Sequence, residues 1–355
     1  MIDLKKNGFD TIQIETKGSC NMACSFCPYP LKTDTGNILE IETIVALLDQ
    51  IGKDNRDIKY VTLSQFNEPL LDNRIFEIIK LVKSYGLKVH LITNGLLLNK
   101  EKNIQGFIDS EPDHLKISLQ VLDSDLHKDA RGIDMDFKRY SETLINFLPR
   151  MKKSNTKILI DLGCNFNDKK ISYFFHKLFG QQSGDPSVAN DKKTVIKKFE
   201  NFLELFGQYF TSSERKIAIE EIRKSQKDYF GEEGIKLSDN ISIKLKSFWY
   251  GRKIEEFYPI SNNFSCETSI LGILADGTVV PCCLAYDKRL SFGNIKNEKL
   301  NNILANNSDF MNNLRKIGGE KDETCKKCMG CPSKKGVFFK NKYLLFKKIL
   351  QRPSL

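Results

Sequence analysis

Residues 11–27 of this 355-residue chain read TIQIETKGSCNMACSFC, and this stretch decides the fold and the chemistry that the sequence predicts. A run rich in β-branched residues predicts a strand over Thr11–Glu15, and the loop after it carries Cys20, Cys24 and Cys27. Three thiolates can hold three irons of a cubane [4Fe–4S] cluster and leave the fourth iron open to a substrate or cofactor. A structural zinc site usually has four ligands, and a disulfide would leave one cysteine unpaired. The spacing therefore favours an iron–sulfur cluster with one open iron.

The same alternation of short strands and amphipathic helices continues through the first half of the chain. The predicted strands are Thr11–Glu15, Ile58–Ser64, Leu87–Ile92, His114–Leu119, Lys157–Leu162 and Ile241–Lys246. The predicted helices are Glu40–Ile51, Asn73–Tyr85, Asn99–Asp109, Asp136–Met151 and Asp168–Phe179. In a β/α barrel the loops after the strands meet at the C-terminal face, where active sites are built. We expect the three cysteines at that face.

These elements predict an α/β fold in which a partial (β/α)6 barrel is followed by a small cysteine-rich domain. The predicted units are 1–180 with the first five βα units, 181–240 as a helical insertion, 241–256 with the sixth strand and a linker, 257–335 as the cysteine-rich domain, and 336–355 as a basic amphipathic tail.

Composition and charge restrict the location and the partners of the chain. No stretch approaches the roughly 20 apolar residues that span a bilayer, and the N-terminus lacks the apolar core of a signal peptide. We therefore expect a cytoplasmic protein, in which clustered cysteines favour metal over disulfides. The net charge is +10, and residues 326–355 hold nine Lys or Arg and no acid. We expect this basic segment to dock as a helix with a solvated lysine face; peripheral contact with an anionic membrane is the alternative, and nucleic acid is less favoured.

The cysteine loop resembles the CxxxCxΦC motif of the radical S-adenosylmethionine (SAM) superfamily, with Phe26 at the aromatic position. The resemblance implies that Cys20, Cys24 and Cys27 bind a [4Fe–4S] cluster whose open iron chelates SAM, with Phe26 near the adenine. It also implies that an electron from the cluster cleaves SAM to a 5′-deoxyadenosyl radical. That radical would abstract hydrogen from a C–H bond of the substrate.

The stretch Asn67-Glu68-Pro69, after the second strand, is similar to the family's Gly-Glu-Pro element. The resemblance assigns Glu68 to the SAM ammonium. An acid followed by proline at the start of a helical turn is the structural alternative. Asn67 stands where the family usually has glycine, and asparagine tolerates positive φ better than most residues do.

Three further positions match the family after the third and fourth strands. Asn94 lies in Thr-Asn-Gly, Ser118 in Lys-Ile-Ser-Leu-Gln, and Arg131 in Ala-Arg-Gly. The resemblance implies contacts of Ser118 and Arg131 with the ribose or carboxylate of SAM, and Arg can pair with a carboxylate through two hydrogen bonds. A plain turn at Asn94 and a surface ion pair at Arg131 remain open as alternatives.

A second cysteine set resembles the SPASM and shorter twitch extensions of radical SAM enzymes. A hairpin is predicted from Ile270–Leu274 and Thr278–Pro281 around an Asp-Gly turn. The number of cysteines favours one auxiliary [4Fe–4S] cluster over two. The expected ligands are Cys266, Cys282, Cys325 and Cys328, with Cys283 and Cys331 as alternates. A four-thiolate structural zinc site is the alternative for this set.

The resemblance implies an oxidoreductase in which the auxiliary cluster takes an electron from the substrate radical. A dehydrogenase-like reaction on a sugar, aminocyclitol or glycan-related small molecule is the favoured expectation, with a flavodoxin or ferredoxin as electron donor. A maturase of a ribosomal peptide or protein is the first alternative. The first strand begins within about ten residues, which leaves no room there for a leader-binding domain. The alternative of another class is a non-catalytic zinc-bound scaffold or nucleic-acid-binding protein.

Overall fold

The computed structural model describes ten stretches of the chain. They are residues 4–52, 57–120, 131–163, 192–207, 209–224, 235–246, 255–282, 284–286, 288–331 and 333–350. The predicted helix Asp168–Phe179 and the alternate ligand Cys283 lie outside the described residues.

The strands in the described chain follow the predicted order. They are β1 (Thr11–Ile14), β2 (Tyr60–Thr62), β3 (Val89–Thr93), β4 (His114–Gln120), β5 (Lys157–Gly163), β6 (Ile235–Lys236), β7 (Ile241–Lys246), β8 (Ile270–Ile273), β9 (Thr278–Val280) and β10 (Gly293–Asn294). Each of the six predicted barrel strands agrees with its observed strand to within two residues at either end.

The helices in the described chain pack around these strands. They are α1 (Ile41–Ile51), α2 (Ile75–Ser84), α3 (Glu101–Ser110), α4 (Phe137–Met151), α5 (Lys192–Leu205), α6 (Ser212–Lys224), α7 (Leu300–Asn306), α8 (Ser308–Arg315), α9 (Glu323–Cys328) and α10 (Lys334–Leu350). Short 3-10 turns occupy Tyr29–Leu31 and Pro69–Leu71. No helix in the described part is long and apolar enough to cross a membrane.

Six parallel strands form the centre of an open sheet, in the order β1-β2-β3-β4-β5-β7. Helices α1 to α4 cover it because each has an apolar stripe at helical spacing; α1, for example, buries Ile44, Leu47, Leu48 and Ile51. Burying a side chain of this size stabilises the fold by roughly 1.5–3 kcal/mol. The predicted partial (β/α)6 barrel is thereby confirmed.

The sheet extends beyond the barrel on both sides. β8 lies parallel to β1, with Ile14 opposite Ile273, so the predicted hairpin of the cysteine-rich region continues the barrel sheet through β9 and β10. At the other edge, β6 pairs antiparallel with β7, inside a segment that we expected to be largely helical. Short apolar runs do not specify their partner strand, which is why the sequence did not predict these pairings.

Candidate active site and auxiliary cysteine site

The three cysteines of the CxxxCxxC motif lie in the loop after β1, at the C-terminal edge of the parallel strands. The backbone turns tightly there, since the Cys27 amide donates to the Cys24 carbonyl at 3.1 Å. The Tyr29 amide donates to Cys27 Sγ at 3.4 Å. Cys24 is buried, and Cys20 and Cys27 are partly buried. The loop thus presents three thiols from one compact turn.

Burial favours the neutral form of the Cys20 and Cys27 thiols. It raises the pKa of Cys20 to about 12 and the pKa of Cys27 to about 12, and the neighbouring cysteines push both values in the same direction. Thiolates packed this closely need positive charge between them, which irons supply. The donor set therefore fits an iron–sulfur cluster.

Glu68 ties the loop after β2 to the loop after β3. Its carboxylate accepts hydrogen bonds from Thr93 Oγ1 at 2.7 Å, from the Asn94 amide at 2.7 Å and from the Leu70 amide at 3.1 Å. The residue is 1% exposed, and burial raises the pKa of its carboxyl to about 7. The bond from Leu70 is the helix-start cap that the structural alternative predicts, with Pro69 in the first turn. The bonds from Thr93 and Asn94 connect the carboxylate to the loop after β3, which contacts the cysteine loop through Asn94.

Asn94 connects that network to the cysteine loop. Its Nδ2 donates to Asn21 Oδ1 at 2.7 Å and lies 4.0 Å from Cys20 Sγ. Its own carbonyl accepts a bond from the fully buried Tyr140 hydroxyl at 2.7 Å. Gly95 has φ +85°, and a Cβ there would lie 2.6 Å from Tyr140 Oη. The Asn-Gly pair is a turn, as the structural alternative predicts, and it also reaches the cysteine loop.

Arg131 is buried beside the cysteines. It is 1% exposed, and its Nη1 lies 3.7 Å from Cys24 Sγ. Its backbone carbonyl accepts a hydrogen bond from the Ala23 amide at 3.0 Å. The next residue, Gly132, has φ +65°, and a Cβ there would lie 2.3 Å from the Ala23 carbonyl oxygen. The Nε and Nη2 atoms have no hydrogen-bond partner among the described residues. A buried guanidinium with two unpaired donors is suited to bind a carboxylate. The surface ion pair offered as an alternative is wrong, because Arg131 is not at the surface.

The other predicted contacts lie around the same edge. Phe26 is partly buried within the cysteine loop, and Ser118 lies near the end of β4 just before a register shift. Asn67 does not adopt the positive φ that its place in the Gly-Glu-Pro element suggested. Its Oδ1 instead accepts a hydrogen bond from the Gln65 backbone amide at 3.0 Å, so the side chain of Asn67 stabilises the turn. Asn67 Nδ2 is buried with no partner in the described chain.

The second cysteine set gathers where the hairpin, α8 and α9 meet. Cys325 and Cys328 are three positions apart on α9, which places them on one helix face. Cys282 and Cys325 pack against one apolar cluster, which contains Phe66 and Tyr286. Burial raises the pKa of Cys325 to about 12, and the nearby Cys282, Asp322 and Cys266 raise it further. Cys266, Cys282 and Cys325 therefore share one site.

Cations surround these auxiliary thiols. Lys321 is 4% exposed, and its Nζ donates to the carbonyls of Asn313, Lys316 and Gly319. Burial lowers its pKa, and the nearby Cys325 and Cys266 oppose that shift. Burial also lowers the pKa of Arg315, which faces Cys266. Lys340 of α10 faces Cys328 and Cys331, and burial lowers its pKa as well. Lys321 lowers the pKa of Cys325 and Lys340 lowers that of Cys331, which opposes the larger rise that burial causes.

Cys331 differs from the other auxiliary cysteines. It is fully buried, and its backbone pairs with Tyr258 in an antiparallel bridge. Among the described residues no three His, Cys, Asp or Glu side chains converge on a single metal ion. A cubane cluster spreads its ligands over separate irons, so it does not need such convergence.

Sequence reasoning missed two supporting residues, Tyr140 and Glu15. Tyr140 falls within the predicted helix Asp136–Met151, and a buried tyrosine needs a partner for its hydroxyl. Glu15 is fully buried, ends the predicted strand Thr11–Glu15 and lies just before the cysteine loop. A charged residue directly after a buried strand is unusual, and this could have marked Glu15 in the sequence.

Two family models match the chain. Residues 14–178 match the Radical SAM superfamily, and residues 265–332 match SPASM, an iron–sulfur cluster-binding domain. The chain belongs to the radical SAM superfamily and carries a SPASM domain. Radical SAM domains use a [4Fe–4S] cluster and SAM, and SPASM domains bind auxiliary iron–sulfur clusters, so the predicted family and cofactors are confirmed.

Individual relatives share parts of this architecture. The chain is 32% identical over 194 residues to an uncharacterised protein of Methanocaldococcus jannaschii, which covers 50% of this chain and 60% of that protein. It is 23% identical over 293 residues to a probable GTP 3′,8-cyclase of Methanococcus aeolicus, covering 81% and 89%. The solved structure of native anSMEcpe with bound AdoMet and Cp18Cys peptide has TM-score 0.50 and 15% identity, covering 96% and 97%. This last likeness shows a shared fold.

Proposed function

We propose that the chain is a cytoplasmic radical SAM oxidoreductase that cleaves SAM reductively and oxidises a small substrate. The observation that carries the proposal is the buried Arg131 guanidinium beside the cysteine loop, whose Nη1 lies 3.7 Å from Cys24 Sγ. Its Nε and Nη2 have no hydrogen-bond partner within the part of the chain that the structure describes. Cys20, Cys24 and Cys27 would hold the first cluster. Cys266, Cys282, Cys325 and Cys328 would hold the auxiliary one, with Cys331 as the alternate. When bound, the first cluster and SAM would supply the chemistry for hydrogen abstraction from the substrate, and the auxiliary cluster would supply an electron acceptor.

The protein residues bind and orient the cofactor. Arg131 would bind the SAM carboxylate, and Glu68 would accept a hydrogen bond from the SAM ammonium. Asn94 and Ser118 would contact the ribose side, with Phe26 along the adenine. Because Glu68 and Arg131 are 1% exposed, the site excludes water from these charged contacts. Desolvated charge pairs are stronger than the same pairs in water.

A dehydrogenase-like reaction on a sugar, aminocyclitol or glycan-related molecule is our favoured reaction. Its support is the auxiliary cysteine site, which packs against the Phe66 loop that leads to Glu68 and thus borders the SAM site. The GTP 3′,8-cyclase relative, whose name specifies a small phosphorylated substrate, also favours a small molecule. A peptide maturase is the second candidate, and incubation with peptide and small-molecule pools under turnover conditions separates the two.

The first experiment measures iron, sulfide and dithionite-dependent 5′-deoxyadenosine under anaerobic conditions. We expect about eight irons per chain in the wild type and about four in the variant with Cys20, Cys24 and Cys27 changed to Ala, with 5′-deoxyadenosine lost in that variant. A variant with Cys325 and Cys328 changed to Ala is the matched control, and it should retain the first cluster. Zinc in place of iron, with no 5′-deoxyadenosine, would establish the scaffold alternative instead.

The cleavage needs an external electron, for which we propose a flavodoxin or ferredoxin. Reduction of the iron-loaded protein by each purified donor, followed by its visible absorption, tests this choice. Absence of reduction by both donors, with reduction by dithionite intact, would contradict it.

The outer face of α10 is our candidate for contact with an anionic membrane. Phe338, Phe339, Tyr343 and Leu345 are exposed there between lysines, while the Asn341 side chain anchors the helix to the Ser261 amide at 2.8 Å. Aromatic side chains can enter the headgroup region while lysines pair with anionic lipids. Sedimentation with vesicles containing about 30% phosphatidylserine should capture the protein but not a Phe338, Phe339, Tyr343→Ser variant. Capture by RNA in place of vesicles would reject the membrane as the partner.

A further inference from the structure

Glu15, at the C-terminal end of β1, forms an ion pair inside the protein. Its carboxylate is fully buried, and Lys32 Nζ lies 2.5 Å from Glu15 Oε2 with only 2% of the lysine side chain exposed. Removing two charges from water is expensive, and apolar residues of similar size often stabilise a fold as well or better. A pair in this position therefore calls for an explanation beyond stability.

The Glu15 carboxylate accepts hydrogen bonds from three separate segments. Besides Lys32, it binds the Phe66 amide at 3.1 Å through Oε1 and the Ala275 amide at 3.2 Å through Oε2. Lys32 follows the cysteine loop directly after the turn Tyr29–Leu31. The carboxylate is thus one point at which these distant parts of the chain meet.

Each of the two amides belongs to a segment that leads into a site. Phe66 lies in the loop that ends at Glu68, and its ring packs edge-on to Tyr286 with the centroids 6.1 Å apart. Ala275 lies in the turn between β8 and β9, and β9 leads to Cys282. Fixing both amides on one carboxylate fixes the SAM-side loop relative to the auxiliary hairpin.

Two glycines make room for these contacts. A Cβ on Gly18 would lie 3.3 Å from Lys32 Nζ and 2.9 Å from the Asp34 carbonyl. A Cβ on Gly272 would lie 2.6 Å from both polar atoms of the Gln65 amide group. Gln65 Nε2 in turn donates to the Cys282 carbonyl at 3.4 Å, which is a second link between the same two segments.

We propose that the Glu15–Lys32 pair positions the two cysteine sites relative to one another. The role rests on the proposed function only in that both sites hold clusters. Glu15 and Lys32 are positioning residues: they act through the cysteine loop, the Phe66 amide and the Ala275 amide.

Hydrogen–deuterium exchange on the iron-loaded, full-length protein tests this directly. Glu15→Gln should speed exchange at the Phe66 and Ala275 amides together, by about tenfold or more, because it replaces the carboxylate that accepts both bonds. Lys32→Met should do the same because it leaves that carboxylate buried without its cation. Lys32→Arg keeps a cation beside Glu15, so exchange at both amides should stay as slow as in the wild type. The matched control is Lys116→Met, which breaks the pair between Lys116 Nζ and the fully buried Asp161 at 2.8 Å; it should leave both amides unchanged.

A spectroscopic readout separates positioning from local stability. In the doubly reduced protein, Lys32→Met should alter the microwave power saturation of the two cluster signals, whereas Lys116→Met should not. Unchanged exchange at either amide in Glu15→Gln, or equal effects in Lys116→Met, would overturn the proposal. If Lys32→Met does not fold, the comparison of Glu15→Gln with Lys32→Arg tests the proposal, since only Glu15→Gln should speed exchange at the two amides. The exchange measurement does not depend on SAM cleavage. Faster exchange at both amides in a protein that forms no 5′-deoxyadenosine would therefore reject the proposed enzymatic function and support the positioning role.

Discussion

The two cysteine sites are built in opposite ways. In the first site, all three cysteines come from one turn after β1. Polar residues from the loops after other strands, such as Glu68 and Asn94, lie around them. The auxiliary site draws cysteines from the hairpin and α9, far apart in sequence, and the basic side chains near them, Lys321 and Arg315, bind backbone carbonyls. The first site is therefore a local motif supported by the barrel, while the second exists only after the chain has folded.

Single ligand changes should separate the two sites most strongly. We expect Cys24→Ser to lower 5′-deoxyadenosine formation at least about a thousandfold, because the cluster that meets SAM is lost. Cys325→Ser should retain this reaction within about tenfold, because it removes only an auxiliary ligand. Anaerobic product assays with iron analysis measure both. Equal losses in the two variants would show that the sites do not load independently.

Arg131→Met tests the buried guanidinium at the first site. A hydrogen bond to a charged group contributes about 1.5–3 kcal/mol, so SAM affinity should fall roughly ten- to a hundredfold with cluster content retained. Anaerobic titration calorimetry measures the affinity. Arg150→Met is the control, since Arg150 pairs with Glu101 on the surface, and it should change affinity less than about twofold. Wild-type affinity in Arg131→Met would remove Arg131 from the SAM site.

Glu68 gives the first site a pH dependence. Burial raises its pKa from 4.5 to about 7, so the ligand-free folded protein holds the proton more tightly than the unfolded chain. This contribution to stability is complete below about pH 4.5 and is lost as the pH rises towards 7, at up to about 1.4 kcal/mol per pH unit.

Glu68→Gln should therefore flatten the fall in unfolding free energy between pH 5.5 and 7 relative to the wild type. It should also weaken SAM binding about tenfold at pH 8, where the carboxylate is charged. Denaturant unfolding across this pH range, with SAM titrations at pH 8, supplies both values. A wild-type pH slope in Glu68→Gln would assign the titration to another group.

Tyr140→Phe should have the smallest effect. It leaves the buried Asn94 carbonyl without its donor, which costs about 1–2 kcal/mol of unfolding free energy. Tyr85→Phe is the control, because the Tyr85 hydroxyl bonds the Asp49 carboxylate at the surface and should contribute less. Calorimetric melting of the three proteins tests the order, and equal melting temperatures would show that the Asn94 turn does not depend on Tyr140.

Local patterns in the sequence predicted most of the barrel and the cysteine motif. Apolar periodicity identified β1 to β5 and β7, and the spacing of Cys20, Cys24 and Cys27 indicated the first cluster without any knowledge of the fold. The bond from Tyr140 to Asn94 and the meeting of Lys32, Phe66 and Ala275 at Glu15 were beyond such patterns. These contacts join segments up to 260 positions apart, and their partners are chosen by packing and not by neighbouring residues.

The pairing of β8 with β1 has a consequence for synthesis on the ribosome. A chain emerges from its N-terminus, so β1 can pair with β2 early, but its other edge stays open until Ile270–Ile273 has been translated. An open strand edge can recruit other chains. A nascent chain of this protein therefore carries its cysteine loop beside an unprotected edge until β8 has been translated and pairs with β1.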